Sequence, residues 1–183
     1  MRPVINLARA GNGSFTPGRP KWFIGVWLLV EWALVSNPLQ ISSRLRVGAL
    51  RAFGAIIGDG VIMRQRVRVK FPWRLTIGDR SWIGEGVWIH NQGELRIGSD
   101  TVISQESFLT TGSHDVRATM DLIVTPVVIG DGVWVTSRCM VLSGVTIGDN
   151  AVVLPGSVVD KSLEPQKVYG GVPARYVKDR PRA

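Results

Sequence analysis

The sequence predicts an all-β fold, a parallel β-helix in which three short strands and three corners form each coil. From Ile129 to Leu163 the chain repeats every six residues, a period that suits neither an α-helix nor simple strand alternation. The first position of each block is branched and aliphatic: Ile129, Val135, Val141, Ile147, Val153 and Val159. Upstream, an Ile-Gly-Asp or Ile-Gly-Ser corner recurs, which extends the same fold over most of the chain.

The corners divide the chain into coils of unequal length. They begin at Ile57, Ile77, Ile97, Ile129 and Ile147, which lie 20, 20, 32 and 18 residues apart. Because a plain coil is three hexapeptides, the long third interval predicts a loop expelled from the solenoid, over residues 115–127, and such loops are often functional. At the corners we expect glycine to relieve an unusual φ and aspartate to bind neighbouring backbone amides.

The 183 residues suit one compact domain with a substantial core. We predict four segments along it. They are a flexible arm (residues 1–20), an N-terminal helical segment (21–54), the β-helix (55–164) and a C-terminal tail (165–183).

The N-terminal segment predicts two helices, over Trp22–Val35 and Ile41–Phe53. The first apolar run is shorter than the roughly 20 residues that span a bilayer, and it contains Glu31. Two interpretations remain open. The helix packs across the N-terminal end of the β-helix, or its tryptophans and flanking basic residues lie at a membrane interface.

A formal charge of +8 suits an anionic ligand or an acidic membrane surface. The basic residues are spread along the chain without a dense run or a zinc-finger pattern, which argues against nucleic acid. The single cysteine, Cys139, fits a reducing, cytoplasmic compartment. It occupies an inward position of its hexapeptide and is therefore predicted to be a core residue rather than a nucleophile.

Three tryptophans occupy hexapeptide positions that should point outward: Trp82, Trp88 and Trp134. Large apolar side chains on the outside of a solenoid need a partner surface. A homotrimer packed face to face about a threefold axis is the natural closed assembly.

His114 is the candidate general base. The other histidine, His90, is expected to be structural, whereas His114 lies where the coil meets the expelled loop. Counting from the corner isoleucines puts Glu94 and His114 at equivalent positions of adjacent coils, which stack about 4.8 Å apart. Either Glu94 or Asp115 could orient the imidazole for removing a proton from an acceptor hydroxyl.

The remaining chemistry is inferred from what the sequence lacks. No Ser-His-Asp triad or Cys-His pair is evident, which favours direct attack on an activated acyl group, with a backbone N–H stabilising the oxyanion. A three-histidine zinc site is excluded because the chain has two histidines at non-equivalent positions, so we predict no metal.

Several motifs together resemble those of the hexapeptide-repeat acyltransferases, a left-handed β-helix family. The most specific are TGSHD at residues 111–115 and GVPAR at residues 171–175, beside GVWV and GVTIGDN. The similarity covers residues 53–177 and is greatest to the branch of colanic acid biosynthesis acetyltransferases, near galactoside and nodulation O-acetyltransferases.

This resemblance implies an acetyl-CoA:sugar O-acetyltransferase of exopolysaccharide biosynthesis, a homotrimer with intersubunit sites in which His114 is the base. It implies that Trp134 and Ser137 contact acetyl-CoA and that Lys161 and Arg175 lie near the CoA phosphates.

Two positions depart from the family pattern. Pro155 stands where relatives use an amide to bind the cofactor, and it has no N–H, so we expect either a slightly different binding of pantetheine or substitution by the amide of Gly156. Trp88 stands where relatives have a smaller polar residue, and we assign it with Asn91 to the acceptor pocket.

Two alternatives to a sugar acetyltransferase stay open. One is the same chemistry on serine, an antibiotic or an amino sugar. The other is a non-catalytic trimeric scaffold at the membrane. For either enzyme we expect a cytoplasmic location, with the N-terminal helix able to contact the inner face of the cell membrane.

Overall fold

The computed structural model describes residues 7–117 and 119–181. It is a left-handed parallel β-helix preceded by a helical segment, which confirms the predicted fold class. The strands are β1 Ile56–Ile57, β2 Ile62–Met63, β3 Arg68–Val69, β4 Leu75–Ile77, β5 Trp82–Ile83, β6 Trp88–His90, β7 Leu95–Ile97, β8 Val102–Ile103, β9 Phe108–Thr110, β10 Gly112–His114, β11 Leu122–Val124, β12 Val127–Ile129, β13 Trp134–Val135, β14 Met140–Val141, β15 Thr146–Ile147, β16 Val152–Val153, β17 Val158–Val159, β18 Lys167–Gly170 and β19 Arg175–Asp179.

Three parallel sheets form the sides of the triangular prism. Sheet A has the order β1-β4-β7-β12-β15, sheet B runs β2-β5-β8-β13-β16-β18 with β19 antiparallel at its end, and sheet C runs β3-β6-β9-β14-β17. The corner isoleucines stand in register along sheet A, as the repeat predicts. Their side chains and the other inward aliphatics fill the core, where Cys139 is fully buried as predicted.

Corner glycines are required by close packing between coils and not by an unusual φ. A Cβ on Gly130 would lie 2.9 Å from the backbone nitrogen of Asp149 in the next coil, and Gly58 meets Asp79 in the same way. Neither glycine has a positive φ, so our explanation by backbone conformation is wrong. The role of aspartate is confirmed, because Asp149 Oδ1 accepts the amide N–H of Asp131 at 2.9 Å.

The helical segment covers the N-terminal end of the β-helix. Helix α1 (Lys21–Val30) continues into a π-helical turn (Glu31–Val35), and α2 (Ser43–Ala52) follows; short 3-10 turns occupy Leu7–Arg9 and Pro72–Arg74. Both predicted helices are therefore confirmed.

Two side chains tie this segment to the open edge of the first coil. The indole of Trp27, on α1, is fully buried and donates to the carbonyls of Val69 and Lys70, each at 3.1 Å. The guanidinium of Arg51, on α2, donates to the carbonyl of Ile57 at 2.7 Å. The interpretation that the helices pack across the end of the solenoid is confirmed, and membrane contact stays a prediction.

The expelled segment is a β-hairpin. Strand β10 pairs antiparallel with β11, so the excursion begins at Gly112 rather than at residue 115. Val127 is fully buried in β12, opposite Leu95, so the excursion ends before it. Because Gly112–His114 pair with β11, these residues, His114 included, lie outside the coil.

The arm packs against the β-helix over its described part. Phe15 stacks on Phe71 with ring centroids 6.1 Å apart, and the indole of Trp73 donates to the carbonyl of Pro17 at 2.9 Å. Our prediction of a loose arm does not account for these contacts; residues 1–6 lie outside the described residues.

Candidate active site

His114 ends strand β10 on the exposed hairpin, with its ring fixed by a backbone carbonyl. Its Nδ1 lies 2.9 Å from the carbonyl oxygen of Met120. Because a carbonyl only accepts, Nδ1 carries the hydrogen, and Nε2 is the proton-accepting nitrogen of the neutral imidazole. Met120 was not among the predicted site residues. The alternating apolar run at Leu122–Val124, after Gly112–His114, could have indicated the hairpin that brings this carbonyl to the ring.

Asp115 shapes the turn that holds Met120. Its amide donates to the carbonyl of Asp121 at 2.9 Å, its carbonyl accepts from the amide of Met120 at 2.8 Å, and its carboxylate accepts from the amide of Arg117 at 2.9 Å. These bonds close the loop end of the hairpin. A direct role for Asp115 in orienting the imidazole stays a prediction.

The predicted stacking of Glu94 on His114 is wrong. Leu95 pairs with Val127 across the two coils, so Pro126 occupies the position of Glu94 in the next coil. The count from the corners fails because the hairpin is inserted ahead of this position. No hydrogen bond or ion pair joins Glu94 to His114 among residues 7–117 and 119–181.

An open groove lies on the outer face of sheet B. Trp134 and Trp82 stand in one row across the sheet, about half exposed as predicted, and line a cleft of about 590 Å³. The indole of Trp134 donates to the hydroxyl of Ser104 at 2.9 Å, which fixes the ring across the groove.

The groove continues past Ser137 and Pro155 to the corner between sheets B and C. The hydroxyl of Ser137 is exposed and donates to Gln105 Oε1 at 3.0 Å. The amide of Gly156 already donates to the carbonyl of Ser137 at 3.0 Å. The prediction that Gly156 replaces the missing amide of Pro155 is therefore wrong, although Gly156 does line the groove.

Two predicted basic residues differ in their surroundings. Lys161 is exposed at the corner between sheets C and A, whereas the guanidinium of Arg175 lies 3.1 Å from Asp160 Oδ1. Asp160 was missed because nothing in the sequence relates residues 15 positions apart across a coil. This ion pair positions the guanidinium and reduces its net charge.

Trp88 lies on the outer face of sheet C. Its ring is 5.0 Å from that of Phe108, and the guanidinium of Arg68 lies 4.1 Å above it. An exposed aromatic face beside a cation suits a sugar ring that carries a phosphate.

Asn91 cannot bind an acceptor. Its side chain is fully buried, its Oδ1 accepts the amide of Phe71 at 3.1 Å, and its Nδ2 donates to the carbonyl of Phe71 at 2.6 Å. Both polar atoms join adjacent coils. The predicted role of Asn91 in substrate binding is wrong for this reason.

His90 is satisfied by its neighbours, as predicted. The ammonium of Lys70 lies 3.2 Å from Nε2, so this nitrogen accepts, and Nδ1 donates to the hydroxyl of Thr110 at 3.2 Å. Burial, and then the charge of Lys70, lowers the pKa of His90. The 20-residue interval between corners could have indicated Lys70, which lies one coil away from His90.

The two halves of the candidate site point away from each other within one protomer. The hairpin leaves between β9 of sheet C and β12 of sheet A, at the corner of the prism opposite sheet B. The groove with Trp134 lies on sheet B itself. Among the described residues no group of three or more His, Cys, Asp or Glu side chains could hold a metal ion.

Known proteins resemble this chain along nearly its whole length. The family model "Bacterial transferase hexapeptide (six repeats)" matches residues 126–161. WcaF of Escherichia coli K12, which carries the name of a colanic acid biosynthesis acetyltransferase, is 41% identical over 169 residues, covering 88% of this chain and 93% of WcaF. The galactoside O-acetyltransferase of the same strain is 28% identical over 184 residues, covering 97% and 89%.

The fold is also that of a hexapeptide-repeat acetyltransferase from Vibrio cholerae solved with acetyl-CoA, with a TM-score of 0.81, 22% identity and coverage of 95% and 97%. The repeats thus define the class, a bacterial hexapeptide transferase. Because the likeness to WcaF spans most of both chains, the chain belongs to the hexapeptide-repeat acetyltransferases, on the branch that contains WcaF.

Proposed function

We propose that the protein transfers an acetyl group from acetyl-CoA to a hydroxyl of a sugar or exopolysaccharide precursor. The observation that carries the proposal is His114, whose Nδ1–H bond to Met120 leaves Nε2 ready to accept a proton. The names of WcaF and the galactoside O-acetyltransferase support a sugar acceptor, and the Vibrio cholerae complex supports acetyl-CoA as donor.

The proposed reaction is a direct transfer. Nε2 of His114 removes the proton from the acceptor hydroxyl as its oxygen attacks the acetyl carbonyl. A new C–O ester bond forms, the C–S bond breaks, and the imidazolium returns its proton to the CoA sulfur. Cys139 cannot carry an acyl group because it is buried, so no covalent enzyme intermediate is required. A backbone N–H in the groove is proposed to bind the oxyanion.

The groove on sheet B fits the donor. The indoles of Trp134 and Trp82 offer an apolar wall for the pantetheine arm, and Ser137 offers a hydroxyl beside it. Lys161 and Arg175 are the proposed source of the positive charge that the CoA phosphates need. Because the amide of Gly156 donates to Ser137, the pantetheine arm finds its partners elsewhere on the groove wall and is held differently than in relatives that have a backbone amide at the position of Pro155.

A homotrimer would unite the two halves of the site. Since the hairpin corner lies opposite sheet B, His114 and Trp134 of one protomer face different neighbours. In a threefold assembly the hairpin of each protomer reaches over the sheet B groove of the next, which makes three intersubunit sites. Trp88 and the Arg68 guanidinium above it are the proposed acceptor platform.

A thiol-release assay with His114→Ala tests this proposal. The assay measures CoA release over a panel of nucleotide sugars, lipid-linked glycans, serine, amino sugars and antibiotics. We expect a sugar to be the best acceptor and the variant to lose at least about 100-fold in kcat as an intact trimer. Glu94→Gln is the control and should stay within about twofold, because no hydrogen bond or ion pair joins Glu94 to His114 in the described part of the chain.

Three outcomes would contradict the proposal. Unchanged CoA release by His114→Ala rejects the base. Serine, an antibiotic or an amino sugar as the best acceptor rejects the substrate class. Absence of transfer with every acceptor favours a trimeric scaffold instead.

We further propose that the helical segment contacts the inner face of an anionic membrane. Its outer face exposes large apolar side chains, with Trp22, Trp32 and Leu39 at 70%, 74% and 87% exposure. Residues 1–58 contain seven Arg or Lys and one acid, Glu31, whose pKa burial raises. No helix among the described residues is long and apolar enough to cross a membrane. Exposed tryptophans with surrounding positive charge suit an interfacial position.

Vesicle sedimentation tests the membrane contact. The protein should bind vesicles that contain phosphatidylglycerol, bind less as salt is raised, and bind phosphatidylcholine vesicles weakly. A Trp22→Ser/Trp32→Ser variant should lose most binding, whereas Tyr176→Ser, an exposed aromatic elsewhere, should not. Equal binding by all three proteins would contradict the proposal, as would vesicle-free self-association that depends on Trp22 and Trp32.

A further inference from the structure

The arm contacts the hairpin that carries His114 through Gly11 and Asp121, which are 110 residues apart in the chain. The amide of Gly11 donates to Asp121 Oδ1 at 2.7 Å, and the carbonyl of Gly11 accepts the amide of Leu122 at 3.2 Å. One arm residue therefore bonds to two successive residues of the hairpin, through one side chain and one main-chain group.

The other end of the arm is anchored on the first coil. Phe15 is stacked on Phe71, and the guanidinium of Arg74 lies 5.4 Å from the centre of the Phe15 ring. Arg74 also donates to the carbonyls of Thr16 and Gln92. The arm is thus a bridge from the rigid solenoid to its one excursion in the described chain.

The residue that the arm holds adjoins the one that orients the base. Asp121 follows Met120, whose carbonyl accepts from His114 Nδ1 at 2.9 Å. The carbonyl of Asp121 also accepts the amide of Asp115, next to His114. Displacing Asp121 would therefore move both the carbonyl that fixes the imidazole and the turn beside it.

We infer that the arm is a clasp that positions His114 by holding Asp121, so that Asp121 is a positioning residue. This inference rests on the proposed function of His114. The clasp acts on the geometry of the base and leaves the sheet B groove alone, because no arm residue from Leu7 onward lines that groove.

A substitution at Gly13 would open the clasp without changing any residue of the hairpin. It has a φ of +55°, and a Cβ there would lie 2.6 Å from the carbonyl oxygen of Leu122. Gly13→Ala should push the arm off the hairpin for both reasons. Gly25→Ala is the matched control, since a Cβ on this α1 glycine meets nothing within 4 Å.

The experiment compares Gly13→Ala, Asp121→Ala and Asp121→Asn in the full-length protein. Amide exchange reports on residues 112–124, ¹⁵N spectra report the imidazole tautomer of the two histidines, and thiol release gives kcat and KM. We expect Gly13→Ala and Asp121→Ala to lose hairpin protection and the fixed Nδ1–H tautomer, and to lower kcat by roughly tenfold. KM for acetyl-CoA should stay within about twofold, and Asp121→Asn, which keeps an accepting oxygen, should recover most of kcat.

Each outcome separates the clasp from the role of the base. Unchanged hairpin protection in Gly13→Ala overturns the clasp, whatever the activity. Lost protection with an unchanged tautomer and kcat overturns positioning by Asp121. If His114→Ala itself keeps full activity, the proposed base fails, while the exchange data still decide whether the arm holds the hairpin.

Discussion

The regular coils and the hairpin are held together by different physical means. In the coils, each inner strand is fixed between two neighbours and the inward aliphatic side chains lie in a packed core. The hairpin has a single pairing, between β10 and β11, and none of its described residues is buried. Its position depends on backbone hydrogen bonds and on the arm.

Because of this difference, the proposed donor groove and the proposed base are positioned independently. The proposed donor groove is a surface of the coils, so Trp134 and Ser137 are placed by the same register that builds the core. The proposed base is on an excursion whose geometry can change without disturbing that register. Damage to the coils should therefore lower stability, and damage to the hairpin should lower kcat.

The largest expected effect comes from removing the hairpin altogether. Deleting residues 113–124 shortens the interval from Ile97 to Ile129 to that of the first two coils, and Thr111 and Thr125 are already joined by a backbone bond of 2.9 Å. Transfer should fall by at least about 100-fold, because the base is lost. The β-helix should remain, with Tm lowered by no more than roughly 2–4 °C, about 1 kcal/mol.

Circular dichroism, thermal unfolding and thiol release check this variant. Loss of the folded β-helix would show that the hairpin is part of the structural core, and the comparison would fail. Retained transfer would show that the base lies elsewhere.

A coil glycine should show the opposite pattern. Gly130→Ala puts a Cβ 2.9 Å from the backbone of the next coil and should lower the free energy of unfolding by about 1–3 kcal/mol. Gly48→Ala, in α2 with open space around it, should raise it by about 0.5–1 kcal/mol. Urea unfolding measures both. If the two variants shift stability equally, close approach between coils is not what requires glycine at the corners.

The same contrast explains what the sequence could predict. A six-residue period is imposed by core packing, so the strands, the buried Cys139 and the outward Trp134 follow from it. The count that related Glu94 to His114 failed because the hairpin begins at Gly112 and shifts the positions after it. The prediction for Asn91 failed for a different reason. The six-residue period does not show that this polar side chain points inward and bonds the backbone of the adjacent coil.

Contacts between distant segments could not be predicted from the sequence either. The bonds of Gly11 to Asp121 and of Arg175 to Asp160 join residues that no local pattern relates. Nor could Met120 be found from residue type, because it acts through its backbone carbonyl.

The smallest expected effect lies where the two regions meet. His90 belongs to the coils, yet it donates to the Thr110 hydroxyl, which in turn accepts the amide of Gly112 at 3.1 Å at the start of the hairpin. Burial and the charge of Lys70 lower the pKa of His90 in the folded protein below its ordinary 6.5. The unfolded chain therefore binds more protons as pH falls through that window.

The sign follows from this difference in proton binding. The stability that neutral His90 contributes is fully present above pH 6.5 and is lost as pH falls from 6.5 through the lower pKa of the folded state. The slope corresponds to at most about one proton taken up on unfolding. Urea titrations between pH 5 and 8 should show this slope for the wild type and a flatter one for His90→Gln, whose amide can still accept from Lys70. Parallel slopes would mean that His90 protonates freely in the folded coil, and that the bond from Thr110 to the hairpin does not depend on a neutral imidazole.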